Sequence, residues 1–357
     1  MAIEHRKGET DMNRFGNRVV WCLSVVLLTV SCATKAPEKK EELVWPLPPE
    51  QPRIKFVQLY CCMNHYGKSG SEAFLETMFG TSSDVSMSKP YGITTDKDGK
   101  VYVTDTGFGA VWVFDDKSKK VSFLGAGQLR TPIGVAVDGK DRVFVSDARA
   151  QRVYAFDQAG KQVMAFGNKK DELANPSGIA IDIASNRLYV ANAKLHIIKV
   201  YDVNSGQFLF DIGTRGIDKG QLNFPTNISV RHSKLYVTDT GNFRVQIFDL
   251  DGKLLKSLGQ MGDGLGQFAR PKGVHADSEG HIYVTDAAFD NFQIFNEQGQ
   301  LLLFVGGKGR DPGLFWLPAG VYIDEKDRIY VADQYNGRIQ VFQYLSEKAA
   351  ATAAKAP

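Results

Sequence analysis

Six segments of the chain read alike: Pro90-Tyr-Gly-Ile-Thr-Thr-Asp96, Pro132-Ile-Gly-Val-Ala-Val-Asp138, Pro176-Ser-Gly-Ile-Ala-Ile-Asp182, Pro225-Thr-Asn-Ile-Ser-Val-Arg231, Pro271-Lys-Gly-Val-His-Ala-Asp277 and Pro318-Ala-Gly-Val-Tyr-Ile-Asp324. Successive copies are spaced 42, 44, 49, 46 and 47 residues apart. Each is followed by a β-rich run such as Val101-Tyr-Val-Thr-Asp105 or Ile329-Tyr-Val-Ala-Asp333. A further run follows, as in Arg244-Val-Gln-Ile-Phe-Asp249, and then a third, as in Lys253-Leu-Leu-Lys-Ser-Leu258. Asp98-Gly99 and Asp251-Gly252 are hairpin turn pairs, because glycine takes the positive φ that such turns require. A fixed period of this length with four short strands per unit is the pattern of propeller blades. The expected fold is all-β, a six-bladed β-propeller.

The consensus Pro-x-Gly-φ-x-φ-Asp, then φ-Tyr-Val-x-Asp, then Arg-φ-x-φ-Phe (φ being apolar) closely resembles NHL repeats, over roughly residues 88–345. The whole layout resembles bacterial NHL-repeat propeller lipoproteins. A propeller must close its ring, since an open blade leaves a bare strand edge. The sixth unit ends near Phe342–Leu345 without a fourth strand, and Arg53-Ile-Lys-Phe-Val-Gln-Leu59 has the character of an outer strand. That N-terminal strand is expected to complete blade six, with Ile54–Val57 beside Arg338–Phe342. Ser71–Phe79, with apolar residues at helical spacing, a serine cap and Gly80 as terminator, predicts one short helix before blade one.

The uncharged run 19–31 follows Arg14 and Arg18 and is too short to span a ~30 Å hydrocarbon core comfortably. It reads as a secretory signal peptide over residues 1–31, and Met12 offers a start that gives a signal of ordinary length. Leu28-Thr29-Val30-Ser31-Cys32 resembles a bacterial lipobox, although Thr29 stands where leucine is commonest. The resemblance implies export across the inner membrane and a lipid on Cys32. With Ala33 next, it implies anchorage in the outer membrane of a Gram-negative cell. Residues 32–52, with five prolines and Lys39, Lys40, Glu41 and Glu42, read as lipid anchor and solvated tether. The propeller is expected over 53–345, and the Ala/Lys-rich segment 346–357 as a disordered tail.

Between residues 45 and 345 there are 34 basic and 33 acidic side chains, so no bulk positive field favours nucleic acid. Cys22, Cys32, Cys61 and Cys62 are the only cysteines, and the repeats carry none. That excludes a disulfide framework and a multi-cysteine zinc site. Cys61-Cys62 reads as a vicinal disulfide or a pair of thiols; no cofactor or metal is expected.

Asp147/Arg152, Asp239/Arg244 and Asp333/Arg338 recur with one spacing and read as ion pairs stapling the turn between second and third strands. Met87, Leu129, Leu173, Leu222, Phe268 and Phe315, each three residues before a repeat proline, read as wedges between blades. At the middle of the innermost strands, small residues give way to His275 and Tyr322 on neighbouring blades. Arg231 stands where the other five copies have aspartate, and Asn192 replaces the aspartate of a second strand. Phe108, Phe243, Phe289 and Tyr335, in turns between second and third strands, are expected on the same rim as the interblade residues Arg270, Arg310 and Trp316. Aromatic and arginine side chains together are the composition of interaction surfaces.

These features support a membrane-anchored, extracytoplasmic, non-enzymatic scaffold that binds a protein or a glycan through the rim. The alternative is a propeller enzyme of the lyase or lactonase type, with an axial site near His275, Tyr322 and Arg231. Neither the several axial histidines of the lyases nor the axial acidic set of the lactonases is present in the innermost strands. Gly-x-Ser-x-Gly, His-Glu-x-x-His and phosphate-loop motifs are missing as well.

Overall fold

A computed structural model describes residues 42–67, 85–167 and 172–346. The expected signal peptide, Cys32, the Ser71–Phe79 helix and the tail from Glu347 lie outside the described residues. Each repeat folds as one antiparallel sheet in which the inner strand begins at the repeat proline. Blade one consists of Pro90–Thr95, Val101–Asp105, Ala110–Asp115 and Lys120–Leu124. The inner strands of blades two to six are Pro132–Val137, Pro176–Asp182, Pro225–Arg231, Pro271–Ala276 and Pro318–Ile323. Proline is tolerated at a strand's first position because the missing N–H falls where no ladder bond is needed.

Blades present two faces each, so the apolar residues of neighbouring sheets must meet. Six clusters result, one at each blade junction. The junction of blades six and one joins Tyr330, Ala332, Ile339 and Val341 to Val101, Val103, Trp112 and Phe114, which makes the ring continuous. All six wedge residues are buried. Near the start of the inner strands the blades approach backbone to backbone. A Cβ on Gly134 would lie 2.6 Å from the Ser177 carbonyl oxygen, and one on Gly320 would lie 2.2 Å from that of Tyr91. Glycine is required there by space.

The N-terminal strand closes blade six as expected. Ile54–Tyr60 runs antiparallel to Arg338–Tyr344. The register differs from expectation: Ile54, Lys55 and Phe56 face Tyr344, Gln343 and Phe342, and a bulge before Gln58 resets the ladder. The displacement seats Phe56 against Phe342, ring centroids 5.7 Å apart. A second difference lies in the stretch read as a solvated tether. Val44–Trp45 adds a fifth strand to the blade, pairing with Lys55 and Ile54. Trp45 packs edge-on against Phe342 at 5.6 Å, and burying that indole area draws the segment onto the sheet.

The aspartate ending each second strand pins the incoming interblade loop. Asp105 accepts from the amides of Ser88 and Lys89, Asp147 from Arg130 and Thr131, Asp286 from Ala269 and Arg270, and Asp333 from Trp316. Asn192 takes the place of the aspartate in blade three. Its Oδ1 accepts from the Ala174 amide, and its Nδ2 donates to the Glu172 carbonyl. The expected ion pairs form at Arg244–Asp239 (2.8 Å) and Arg338–Asp333 (2.7 Å). In blade two, Asp147 is engaged by amides, including that of Ala150, rather than by Arg152.

Candidate functional site

Strand directions put the turns between second and third strands, and the loops between blades, on one face of the disc. The turns between first and second strands lie on the other. Three long interblade loops, 213–224, 259–270 and 306–317, are held by one device. Gln246, Gln293 and Gln340, buried on third strands, accept from the amides of Gly220, Gly266 and Gly313. They donate to the carbonyls of Gln221, Gln267 and Leu314. Sequence reasoning misses these clamps, although the glutamine recurs at one place in Arg244-Val-Gln246, Asn291-Phe-Gln293 and Arg338-Ile-Gln340.

The rim residues fall into two groups. Trp316 and Tyr335 form a pair at 5.7 Å, tied by the Tyr335 amide donating to the Trp316 carbonyl. The Arg310 guanidinium lies 5.7 Å over Trp316, and the Lys89 ammonium 5.8 Å over Tyr335. Phe108 is exposed and stacks on Phe123 at 4.9 Å. Phe243 and Phe289 are only half-exposed, and Phe243 turns onto the core between blades four and five. Arg270 is exposed, held by its backbone amide to Asp286. Residues not anticipated on the rim are Ile217, Met261 and Leu265, 76%, 70% and 76% exposed, and the exposed Phe224. Their exposure depends on loop conformation, which the repeat pattern does not encode.

The axial residues line a lumen of about 690 Å³ bounded by the inner strands and the turns between first and second strands. His275 and Tyr322 meet at 5.1 Å, edge to face. The Tyr322 hydroxyl lies 3.3 Å from that of Thr95. Burial, reinforced by the Arg231 charge, pushes the His275 imidazole down to about 4, against the opposing pull of the Ala276 carbonyl, Asp277 and Asp324. The ring is therefore neutral at physiological pH. Burial likewise raises the Tyr322 phenol. Arg231 reaches across the lumen mouth to Glu325 of blade six.

Among the described residues, His232 also lines the lumen, with its ring turned to a backbone carbonyl, whereas His65, His196 and His281 lie outside it. His196 Nδ1 accepts from the Phe224 amide, His232 Nε2 lies 2.8 Å from the Asp277 carbonyl, and His281 Nδ1 lies 2.9 Å from the Asp277 carboxylate. Among the described residues no three His, Cys, Asp or Glu side chains cluster as metal ligands. Cys61 and Cys62 are free thiols with sulfurs 2.7 Å apart. Burial and the neighbouring thiol push Cys61 up to about 12, which suppresses the reactive thiolate. Among the described residues no helix is long and apolar enough to cross a membrane.

Comparison with known proteins agrees with this architecture. Residues 315–342 match the NHL repeat family model. Protein brain tumor of Drosophila melanogaster is 29% identical over 120 residues; these make up 33% of this chain and 11% of the relative, so the chain spans about a tenth of that protein. An auxiliary nutrient binding protein from Bacteroides thetaiotaomicron superposes with a TM-score of 0.59 at 15% identity, covering 73% of this chain and 70% of its own. Virginiamycin B lyase from Staphylococcus aureus gives 0.55 at 12%, covering 82% and 100%. Likeness at these identities speaks to fold alone. The chain is thus a six-bladed β-propeller that carries the NHL repeat.

Proposed function

We propose that this propeller is a non-enzymatic binding scaffold, exported and held at an outer membrane by a lipid on Cys32, whose rim engages a protein partner. The observation that carries the reading is the cluster of Arg310, Trp316, Tyr335 and Lys89, two aromatic planes with a cation over each, on loops pinned by Gln340, Asp333 and Asp105. Side chains so fixed lose little further freedom on binding, and aromatic and arginine anchors supply most of the energy of protein interfaces. The likeness to a nutrient binding protein fits a binding role, and an envelope glycan is the other ligand class that stacks on such rings. The lyase or lactonase alternative draws on the likeness to virginiamycin B lyase and on neutral His275 beside Tyr322, but the second lumen histidine, His232, is engaged with the Asp277 carbonyl.

Crosslinking in native membranes would identify the partner. Trp316→Ala combined with Tyr335→Ala is then expected to weaken it by about thirtyfold or more. His275→Ala should leave that affinity within a few-fold. The opposite pattern would move function to the axis. Alkyne fatty-acid labelling should tag the wild type and not Cys32→Ala; a tagged variant would remove the anchor from the proposal.

A further inference from the structure

Alternation along the inner strands directs every second residue to the axis. The middle layer contains Thr94, Ala136, Ala180, Ser229, His275 and Tyr322. It is lopsided, with small side chains on blades one to four and two rings on blades five and six. Open space therefore lies beside Ala136 and Ala180, facing the edges of His275 and Tyr322. One layer nearer the mouth, aspartates on five blades turn back to their own hairpins. Asp96 accepts from the Lys100 amide and the Tyr102 hydroxyl, Asp138 and Asp324 hold Arg142 and Arg328, and Asp277 holds His281 and Tyr283. Their charges are satisfied within the blades.

Arg231 is the exception in that layer. Its side chain is 15% exposed, yet its ion-pair partner Glu325 is 85% exposed and comes from two blades away. A nearly desolvated cation is thus held by a carboxylate that gives up little on returning to water. Two residues deeper on the same strand, roughly 7 Å along it, the Ser229 hydroxyl is buried without a hydrogen-bond partner. Buried hydroxyls are ordinarily paired, and Ser229 lines the lumen, so a turn of this side chain toward the axis would let a polar ligand group supply the missing partner. Beside it, His275 Nδ1 donates to the Ala276 carbonyl at 3.0 Å, which leaves Nε2 as an acceptor. The lumen volume of about 690 Å³ is that of small-molecule sites.

We propose that the lumen binds a small, flat hydroxy-carboxylate, its carboxylate pairing with Arg231 in exchange for Glu325 and its hydroxyl reaching Ser229 and His275. The flat body lies between the alanine wall and the two aromatic edges. The site is separate from the rim and opens on the opposite face of the disc, so it does not depend on the rim reading.

A probe of matching shape is 4-hydroxybenzoate, whose two polar ends are separated by about the same span as the two layers. Calorimetric titration of the purified full chain should give saturable binding, and 4-hydroxybenzamide should bind at least about tenfold more weakly because it lacks the charge. Arg231→Met should lose about tenfold or more, whereas Glu325→Gln, a change at an exposed side chain, should hold or improve affinity by removing the competing carboxylate. Trp316→Ala with Tyr335→Ala should leave this binding unchanged while weakening partner binding by about thirtyfold or more, which separates the two sites. The proposal is overturned if neither wild type nor Glu325→Gln binds the probe. Equal binding of amide and acid, or wild-type affinity in a folded Arg231→Met variant, would overturn it as well.

Discussion

Asp333 shows how much one side chain of the repeat carries. Fully buried, it accepts from the Trp316 amide, Asn336, Arg338 and Gln340. Truncation would orphan a loop amide and a partly buried guanidinium together. Asp333→Ala should therefore cost about 3–5 kcal/mol in denaturant unfolding. Asp98→Ala, which removes an exposed partner of Lys117, should leave the unfolding midpoint unchanged. Similar losses for the two variants would contradict the pinning role of the repeat aspartate. The positions at which the motif departs from aspartate are equally informative. Asn192 keeps the amide contact because its carbonyl oxygen accepts as a carboxylate does, so the substitution is structural. Arg231 keeps no such role, and its departure was readable as a candidate site.

At the scale of elements, ring closure rests on a strand far from its partner in sequence. Ile54 and Tyr60 are fully buried against the last strand, and Trp45 and Phe56 flank Phe342. Each large apolar side chain contributes roughly 1.5–3 kcal/mol on burial. Deleting residues 42–60 should lower the melting temperature by about 10 °C or more, whereas deleting 347–357 should leave it unchanged. Equal effects in differential scanning calorimetry would refute closure by this strand. The missing fourth strand of the sixth repeat made this closure legible. The register was not legible, since the bulge at Gln58 answers to packing around Phe342. The glutamine clamps were hidden for a related reason: a polar residue on a strand signals a buried hydrogen bond only once the loop it holds is in place.

The whole molecule should record the axial histidine in its pH response. With the folded imidazole near 4 and an ordinary value of 6.5 when unfolded, the ring is neutral in both states above 6.5 and has no effect there. As pH falls below 6.5 the unfolded chain takes the proton first, so stability declines, and the decline continues to about 4. By pH 5 the loss amounts to about 2 kcal/mol. The groups facing the ring are Arg231, which works against protonation, and Asp277 and Asp324, which favour it. In His275→Gln, the drop in unfolding free energy from urea titration between pH 7 and pH 5 should shrink by that amount. An unchanged drop would show that His275 is not desolvated as the lumen requires.

The sequence by itself determined the number of blades, the strand that closes the ring, the wedge positions and the pair of rings at the axis. Each of these follows from a period that local chemistry imposes along the chain: a proline to start all six copies and, in five of the six, a glycine where backbones touch and an aspartate to end. What faces what across the disc was decided only by tertiary structure. Arg231 and Glu325 are 94 residues apart, Trp316 meets Arg310 and Tyr335 only through loop conformation, and Phe243 turns to the core. A repeat specifies each blade against its neighbours. Contacts that skip a blade, or that depend on a loop's path, carry no period and emerge only when the ring has closed.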